Sequence, residues 1–386
     1  MVVLRRLPQR ANRCQIRWRQ PRIDSASTST DGQMNFFEQQ CRAKRRSVQL
    51  VILMFLAVLG LILVSFMLLI LPISYGKTLE DLAENWQFFA IIAALVTAVV
   101  LLGGLVKYVE LTGGGKVVAR RLGGRLINHD ARTLEERRLV NVVEEMALAS
   151  GTAVPCVYLL PDQGINAFAA GFTPQDAVIG VTQGAISLLS RDELQGVIAH
   201  EFSHIYNGDM RLNTQLVAVV HGIMVIGLAG NHLLRGLEDT PHSSANRKQP
   251  TILVSMFGTA LCIVGFSGTF FGNLIKAAVS RQREFLADAT AVQYTRNPDS
   301  IAGALKKIGG YKMGSTLKAA RAAEFSHLFF GPGTTSSHLL SGHPDLRERI
   351  RRIDPDWDGI FVNIAAPAQD SMVARTVRAA PTKELP

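Results

Sequence analysis

The densest concentration of metal-binding chemistry in the chain is His200-Glu201-Phe202-Ser203-His204. Two histidines four positions apart on a helix lie on one face, so both imidazoles can reach a single ion. Glu201 stands beside them, placed to take a proton from a water held by that ion. Zinc suits such a set, because it accepts imidazole and carboxylate ligands, acidifies a bound water and polarises a carbonyl. The pattern also arises on surface helices that merely carry two titrating histidines.

A catalytic zinc takes three protein ligands and keeps a fourth position open. The other histidines are His129, His221, His232, His242, His327, His338 and His343, and none follows the motif at the spacing HExxHxxGxxH. A carboxylate then becomes the candidate third ligand. Glu284 and Asp288, within SRQREFLAD at 280–288, are four apart and share a helical face. Glu284 can bind the ion while Asp288 accepts a hydrogen bond from a ligating histidine. The same acids can equally form an exposed face paired with Arg281 and Arg283, and spacing alone does not choose.

Several elements must position these residues. The motif helix starts with capping-box spacing at Ser190 and Glu193 and ends at Gly208. Upstream, RTLEERRLVNVVEEMALAS is an amphipathic helix stopped by Gly151, and VYLLP and AVIGV are short strands. SRQREFLADATAVQYT is helical by pattern. Ile165-Asn166-Ala167-Phe168-Ala169 reads as a short apolar strand; at a sheet edge it could pair with an extended substrate, and in the interior it would only fill the core. Gly113-Gly114-Gly115-Lys116 is followed by Val117 where a phosphate loop needs Ser or Thr, so it reads as a flexible exit from a membrane span.

Four uncharged stretches surround this region. They cover 30 residues between Arg46 and Lys77, 22 between Glu84 and Lys107, 23 between Arg211 and Arg235, and 27 between Lys248 and Lys276. A spanning helix needs about 20 apolar residues. The third stretch carries Asn213, Gln215, His221, Asn231 and His232, so a buried hairpin in a soluble core is the alternative for the third and fourth. Arg42, Lys44, Arg45 and Arg46 precede the first stretch, which places the amino terminus and the regions 107–211 and 276–386 in the cytoplasm.

Composition agrees with a membrane protein. Charged residues make up 19% of 386 and hydrophobic residues 48%, against about a quarter charged in soluble domains. The net charge of +10 is concentrated in residues 1–46, which hold eleven Arg or Lys against three acids. Beside an apolar run that cluster points to the bilayer, and no nucleic-acid partner is expected. Residues 1–33 read as an extension ahead of Met34, or as an organelle transit peptide. The four cysteines form no CxxC pair, which argues against a disulfide framework or a structural zinc cluster.

HEFSHIYNGDM, SRQREFLADA and HPDLRERI, in this order with apolar stretches between the first two, resemble the HtpX-like membrane zinc metalloproteases, whose superfamily also holds the CAAX prenyl endopeptidases. The resemblance runs from about Met34 to about Ile353. It implies one Zn2+ per chain held by His200, His204 and Glu284, with Glu201 as general base and Asp288 behind a ligand. It maps a histidine that helps stabilise the reacting oxyanion onto His343 and a supporting arginine onto Arg349; read alone, His343-Pro344 at a helix start is more often structural. Asp345 stands where many members have a second proline. NAFAAG resembles the family's strand before the metal helix, which assigns the substrate strand to Asn166, Ala167, Phe168 and Ala169.

The expected fold is a mainly α membrane protein with about four transmembrane helices and a cytoplasmic α+β gluzincin-type protease domain. Its parts are an extension (1–33), a two-span anchor (34–107), a protease segment with the HExxH helix (108–211), the third and fourth membrane helices (212–275), a second protease segment (276–363) and a flexible tail (364–386). The expected function is cleavage of membrane or misfolded proteins at the cytoplasmic face, as protein quality control in a bacterial inner membrane, or in an organelle membrane if 1–33 is a transit peptide. Partners are protein or peptide substrates and the lipid bilayer, with oligomeric state open. The rival from another class is a membrane scaffold with a vestigial metal site, whose signature would be damage to HExxH or Glu284.

Overall fold

The computed structural model of the chain describes residues 36–74, 86–111, 114–238, 248–317, 328–331 and 341–364. The extension 1–33, the tail beyond 364, and His242, Ser244, His327 and His338 lie outside the described residues. Helices α1 (Phe36–Ser74), α2 (Trp86–Leu111), α7 (Asp209–Glu238) and α8 (Lys248–Thr295) are the long ones. Each is long and apolar enough to cross a membrane. On α1, Ile52, Phe55, Leu59 and Leu63 point outward, as do Ile91, Leu95, Leu102 and Val106 on α2. Apolar side chains in such numbers belong on a surface whose solvent is lipid.

Small residues let these helices meet backbone to backbone. A Cβ placed on Gly265 of α8 would lie 2.1 Å from the Gly227 nitrogen of α7, so a side chain there has no room. The third and fourth long helices, α7 and α8, therefore meet through a close glycine contact. Gly268 faces a different neighbour as well: its Cβ would lie 2.3 Å from Leu61 of α1 and 3.0 Å from Ile223 of α7. On the other side of α7, a Cβ on Gly222 would lie 2.3 Å from the Val100 oxygen of α2.

The remaining elements form a small mixed layer structure. They are α3 (Gly115–Arg121), β1 (Arg125–Leu126), α4 (Leu134–Ser150), β2 (Cys156–Leu160), β3 (Ala167–Ala170), β4 (Val178–Thr182), α5 (Gln183–Leu188), α6 (Arg191–Asn207), α9 (Pro298–Gly310) and α10 (Leu346–Ile353). The sheet order is β1-β2-β4-β3, with β2 and β4 parallel and the other two pairings antiparallel. β3 is thus an edge strand. One face of the sheet packs on α4 and α6 through Leu139, Val142, Val143, Val197, Ile198 and Phe202. Its other face packs on α3 through Ala119, Leu122, Phe168 and Val178. Gly115 and Lys116, expected in a flexible exit, instead open α3, because a Gly115 Cβ would sit 2.3 Å from the Ala170 oxygen and only glycine lets the helix start dock there. Ile364, at the expected start of the tail, pairs with Tyr311.

Two helix boundaries place the motif. Ser190 and Glu193 form both halves of a capping box at the start of α6. Gly208, at φ 70, ends α6 in the left-handed region, and α7 begins at the next residue. The chain therefore turns sharply between the motif helix and a membrane helix. α8 does the opposite and runs unbroken for 48 residues. At ~1.5 Å per residue that is roughly 70 Å, more than twice the ~30 Å hydrocarbon thickness. Its second half, with Glu284 and Asp288, is a rigid continuation of its apolar first half.

Gly265→Leu is expected to wedge α7 from α8 and destabilise the fold by about 1–3 kcal/mol or more, the usual cost of overpacking. Gly236→Leu, where a Cβ meets nothing within 4 Å, serves as control. Thermal unfolding in detergent with zinc content on the same samples checks this; equal midpoints for the two variants refute the glycine contact.

Candidate metal centre

Nε2 of His200 and Nε2 of His204 lie 3.1 Å apart. Glu284 brings Oε2 to 3.7 Å from the first and Oε1 to 3.5 Å from the second. Ligand atoms about 2.0–2.1 Å from a tetrahedral ion stand roughly 3.4 Å from one another, so this triangle has the size zinc requires. The three residues also form a group able to hold a metal by ligand type and reach. Spacing had left Glu284 open between ligand and exposed face; its carboxylate is buried and faces the two imidazoles.

The outer nitrogens of both rings are turned toward acids. His200 Nδ1 lies 2.9 Å from Asp288 Oδ1. His204 Nδ1 lies 2.8 Å from Asp209 Oδ2. A carboxylate at Nδ1 holds the proton there and leaves Nε2 free to bind metal. Burial pushes the His200 pKa down to about 4, with Asp288 pulling the other way, so this ring is neutral at pH 7 as a ligand must be.

Glu201 is fully buried, and neither carboxylate oxygen has a hydrogen-bond partner in the protein. Burial pushes its pKa up to about 8, partly offset by His204. A buried carboxylate without a partner is costly unless a cation or a water completes it. Charge points the same way. Three carboxylates at the centre (Asp209, Glu284, Asp288) face two guanidiniums, Arg283 and Arg349, so the ligand cluster keeps an excess negative charge that a cation would meet.

Arg349 is wholly buried. Its Nε and Nη2 donate to the two oxygens of Asp288 at 2.9 and 2.7 Å. Its Nη1 donates to the Phe330 oxygen at 2.9 Å and lies 3.3 Å from Glu284 Oε2. Burial alone would lower its pKa, but Asp288 and Glu284 outweigh it and the shift is upward. Arg349 is accordingly a positioning residue, set behind the ligands. His343 places Nδ1 3.2 Å from Glu284 Oε2, on the flank of the metal triangle.

The expected substrate strand is β3, displaced by one residue: Ala167 to Ala170 are in the strand and Asn166 precedes it. Its outer edge is partly met by the chain itself. Phe330 N–H donates to the Ala167 oxygen at 2.8 Å, and Phe168 pairs antiparallel with Phe329. The Asn166 amide donates to Ser315 O at 2.7 Å and Gly331 O at 3.3 Å, and its oxygen accepts from Gly331 N–H at 3.2 Å. The Phe330 ring stands edge-on to His200, 4.8 Å between centroids, beneath the Arg349 guanidinium.

Three contributors were not identified from sequence. Asp209 orients His204, Arg283 pairs with Asp209 and donates to the Asn207 oxygen at 3.1 Å, and Phe330 packs on His200. Only Asp209 had a local signal, an acid five residues after the second histidine.

Residues 133–356 match peptidase family M48. The chain is 39% identical over 217 residues to a protein named Protease HtpX homolog from Dictyoglomus turgidum, covering 56% of this chain and 68% of that one. It is 34% identical over 298 residues to one of the same name from Thermoanaerobacter pseudethanolicus, covering 76% and 92%. A third, from Lactobacillus helveticus, is 29% identical over 319 residues, covering 82% and 98%.

Asp209→Ala is expected to weaken zinc binding about 10- to 100-fold, since it removes the acceptor behind His204. Competition with a zinc chelator measures this, and unchanged affinity refutes the role. Arg349→Leu leaves Asp288 buried with only the His200 imidazole as partner, and is expected to cost about 3–5 kcal/mol of stability. Thermal unfolding of the metal-free chain reads that loss; an unchanged midpoint refutes it.

Proposed function

As a member of peptidase family M48 with four helices able to cross a membrane, the chain is a membrane metalloprotease, and we propose that it is a zinc endopeptidase cleaving membrane or misfolded proteins at the cytoplasmic face of a bacterial inner membrane. The observation that carries the reading is the convergence of His200, His204 and Glu284 beside the unpartnered carboxylate of Glu201. His200, His204 and Glu284 would hold the ion, which when bound supplies a Lewis acid for the scissile carbonyl and for the attacking water. Glu201 takes the proton of that water and returns it to the leaving amine. His343 donates to the negative oxygen that develops on the carbonyl, provided its ring swings from Glu284 toward the substrate. Asp288, Asp209 and Arg349 keep the ligand side chains in place.

Substrate would add to the edge of β3, where Ala169 borders the metal ligands. The cytoplasmic assignment is supported by the basic cluster Arg42–Arg46 ahead of the first span. Quality control is the reading that fits a site at the junction of α6, α7 and α8, where a chain leaving the bilayer needs little extraction. The segment boundaries read from sequence are proposed together with this reading, with the second protease segment starting within α8.

Glu201→Gln is expected to retain one zinc per chain and lose about 10²- to 10⁴-fold in turnover, because an amide cannot accept the proton. Casein or peptide cleavage by detergent-purified protein, with zinc analysis, decides it; wild-type turnover in the variant ends this mechanism. A cysteine probe at Ser244 should react from outside intact cells and one at Ser190 should not. The reverse pattern overturns the orientation.

A further inference from the structure

Helices α1 and α8 run antiparallel, and their seam is pinned at its basic end, where the Gln40 amide donates to Gln293 at 2.7 Å. Farther along, Met54 comes near Gly272 and Leu61 near Gly268. A groove opens between the two helices at this level. Met54, Ala57, Leu61 and Val64 of α1 form one wall, and Gly268 and Phe271 of α8 the other. Among the described residues lining it only Ser267 is polar, and its hydroxyl donates to the Val264 oxygen of its own helix at 3.2 Å. Ala57 and Ser267 are exposed, so the groove is open to the surroundings of the helices. Both walls lie within candidate membrane spans, where those surroundings are lipid.

Arg46 stands beyond one end of this groove. It precedes Ala57 by eleven residues and Val64 by eighteen, about three and five whole turns, so all three share one face of α1. Arg46 is exposed and, among the described residues, has no ion pair or hydrogen bond. Neither helix supplies an acid at this level. α1 has none after Glu38, and α8 has none between Lys248 and Glu284, whose carboxylate is buried at the metal centre. The anion that completes Arg46 therefore comes from outside the pair. Lys44, two residues earlier, lies on the opposite side of α1.

We propose that the groove holds one acyl chain of an anionic phospholipid whose phosphate is bound by Arg46. The length of the groove selects this occupant. Met54 to Val64 is ten residues, roughly 15 Å of helix, which is half of the ~30 Å hydrocarbon layer and so the depth of one leaflet. A spanning helix of another protein would need a face twice as long. Arg46 lies eight residues before Met54, roughly 12 Å nearer the basic end. The glycerol unit and the stem of the arginine cover that gap between them. The planar guanidinium can then donate to two oxygens of one phosphate. The chain below it fills a space that the protein's own side chains leave open, and gains dispersion contacts along both walls.

The test is lipid binding by the detergent-purified full chain, counted by native mass spectrometry during titration with phosphatidylglycerol or with phosphatidylcholine of the same acyl chains. Wild type should hold one phosphatidylglycerol per chain and bind it about fivefold more tightly than phosphatidylcholine, one basic residue's share at an anionic surface. Arg46→Gln should erase that preference, and Lys44→Gln should keep it. Ala57→Phe, which fills the groove from its exposed α1 wall, should abolish occupancy by either lipid. Ser267→Leu does the same from the α8 wall and keeps the test open if the larger ring prevents folding. Inorganic phosphate should not displace the lipid, because it lacks the chain. Equal losses in Lys44→Gln and Arg46→Gln would reduce the effect to diffuse attraction by the basic cluster and overturn the site. Equal affinity of wild type for the two lipids, or displacement by inorganic phosphate, overturns it too. So does a groove-filled variant that keeps the wild-type thermal midpoint and still binds phosphatidylglycerol at full affinity.

Discussion

The buried pairing of Arg349 with Asp288 is the contact on which the rest of the centre hangs. Through it α10 is tied to α8, and through Asp288 to His200 on α6. The same guanidinium reaches the Phe330 oxygen and approaches Glu284. Four separate stretches of chain thus converge on one cation. An isolated buried ion pair contributes little net stability, because desolvation offsets attraction. Here its value is positional. Two carboxylates that would otherwise repel are held at fixed separation, one as ligand and one behind a ligand.

The two imidazoles are matched in support and unlike in setting. Each has an acid behind it, but Asp288 comes from the helix that also carries the third ligand, while Asp209 comes from the residue after the Gly208 turn. The turn does two tasks. It ends the motif helix, and it swings Asp209 back onto the histidine that has just passed. A residue with a β-carbon would resist φ 70 and move that carboxylate.

Much of this was legible in the sequence because its causes are local. Ser190, Glu193 and Gly208 bounded the motif helix by capping chemistry that acts over three or four residues. The apolar stretches declared themselves by length. Glu284 was ambiguous, since an i, i+4 acid pair looks alike on a buried or an exposed face. His343 and Arg349 entered only through family resemblance; their partners are 59 and 61 residues away. Phe330 was invisible for the same reason, meeting His200 across a separation no periodicity encodes. Gly115-Lys116 was misread as loose chain because three glycines signal freedom locally, whereas one of them is needed for a close approach to the sheet.

The unbroken length of α8 gives the centre a mechanical property. Glu284 lies nineteen residues beyond the tight glycine contact at Gly265, an arm of roughly 28 Å along a straight helix. If that contact acts as fulcrum, each degree of tilt in the lipid-embedded half displaces the carboxylate by about 0.5 Å, more than twice the ~0.2 Å tolerance of a metal–ligand distance. Membrane helices tilt to match the thickness of the bilayer around them. The geometry of the third ligand is in this way mechanically coupled to hydrocarbon thickness, and lipid composition becomes a variable of the hydrolytic centre.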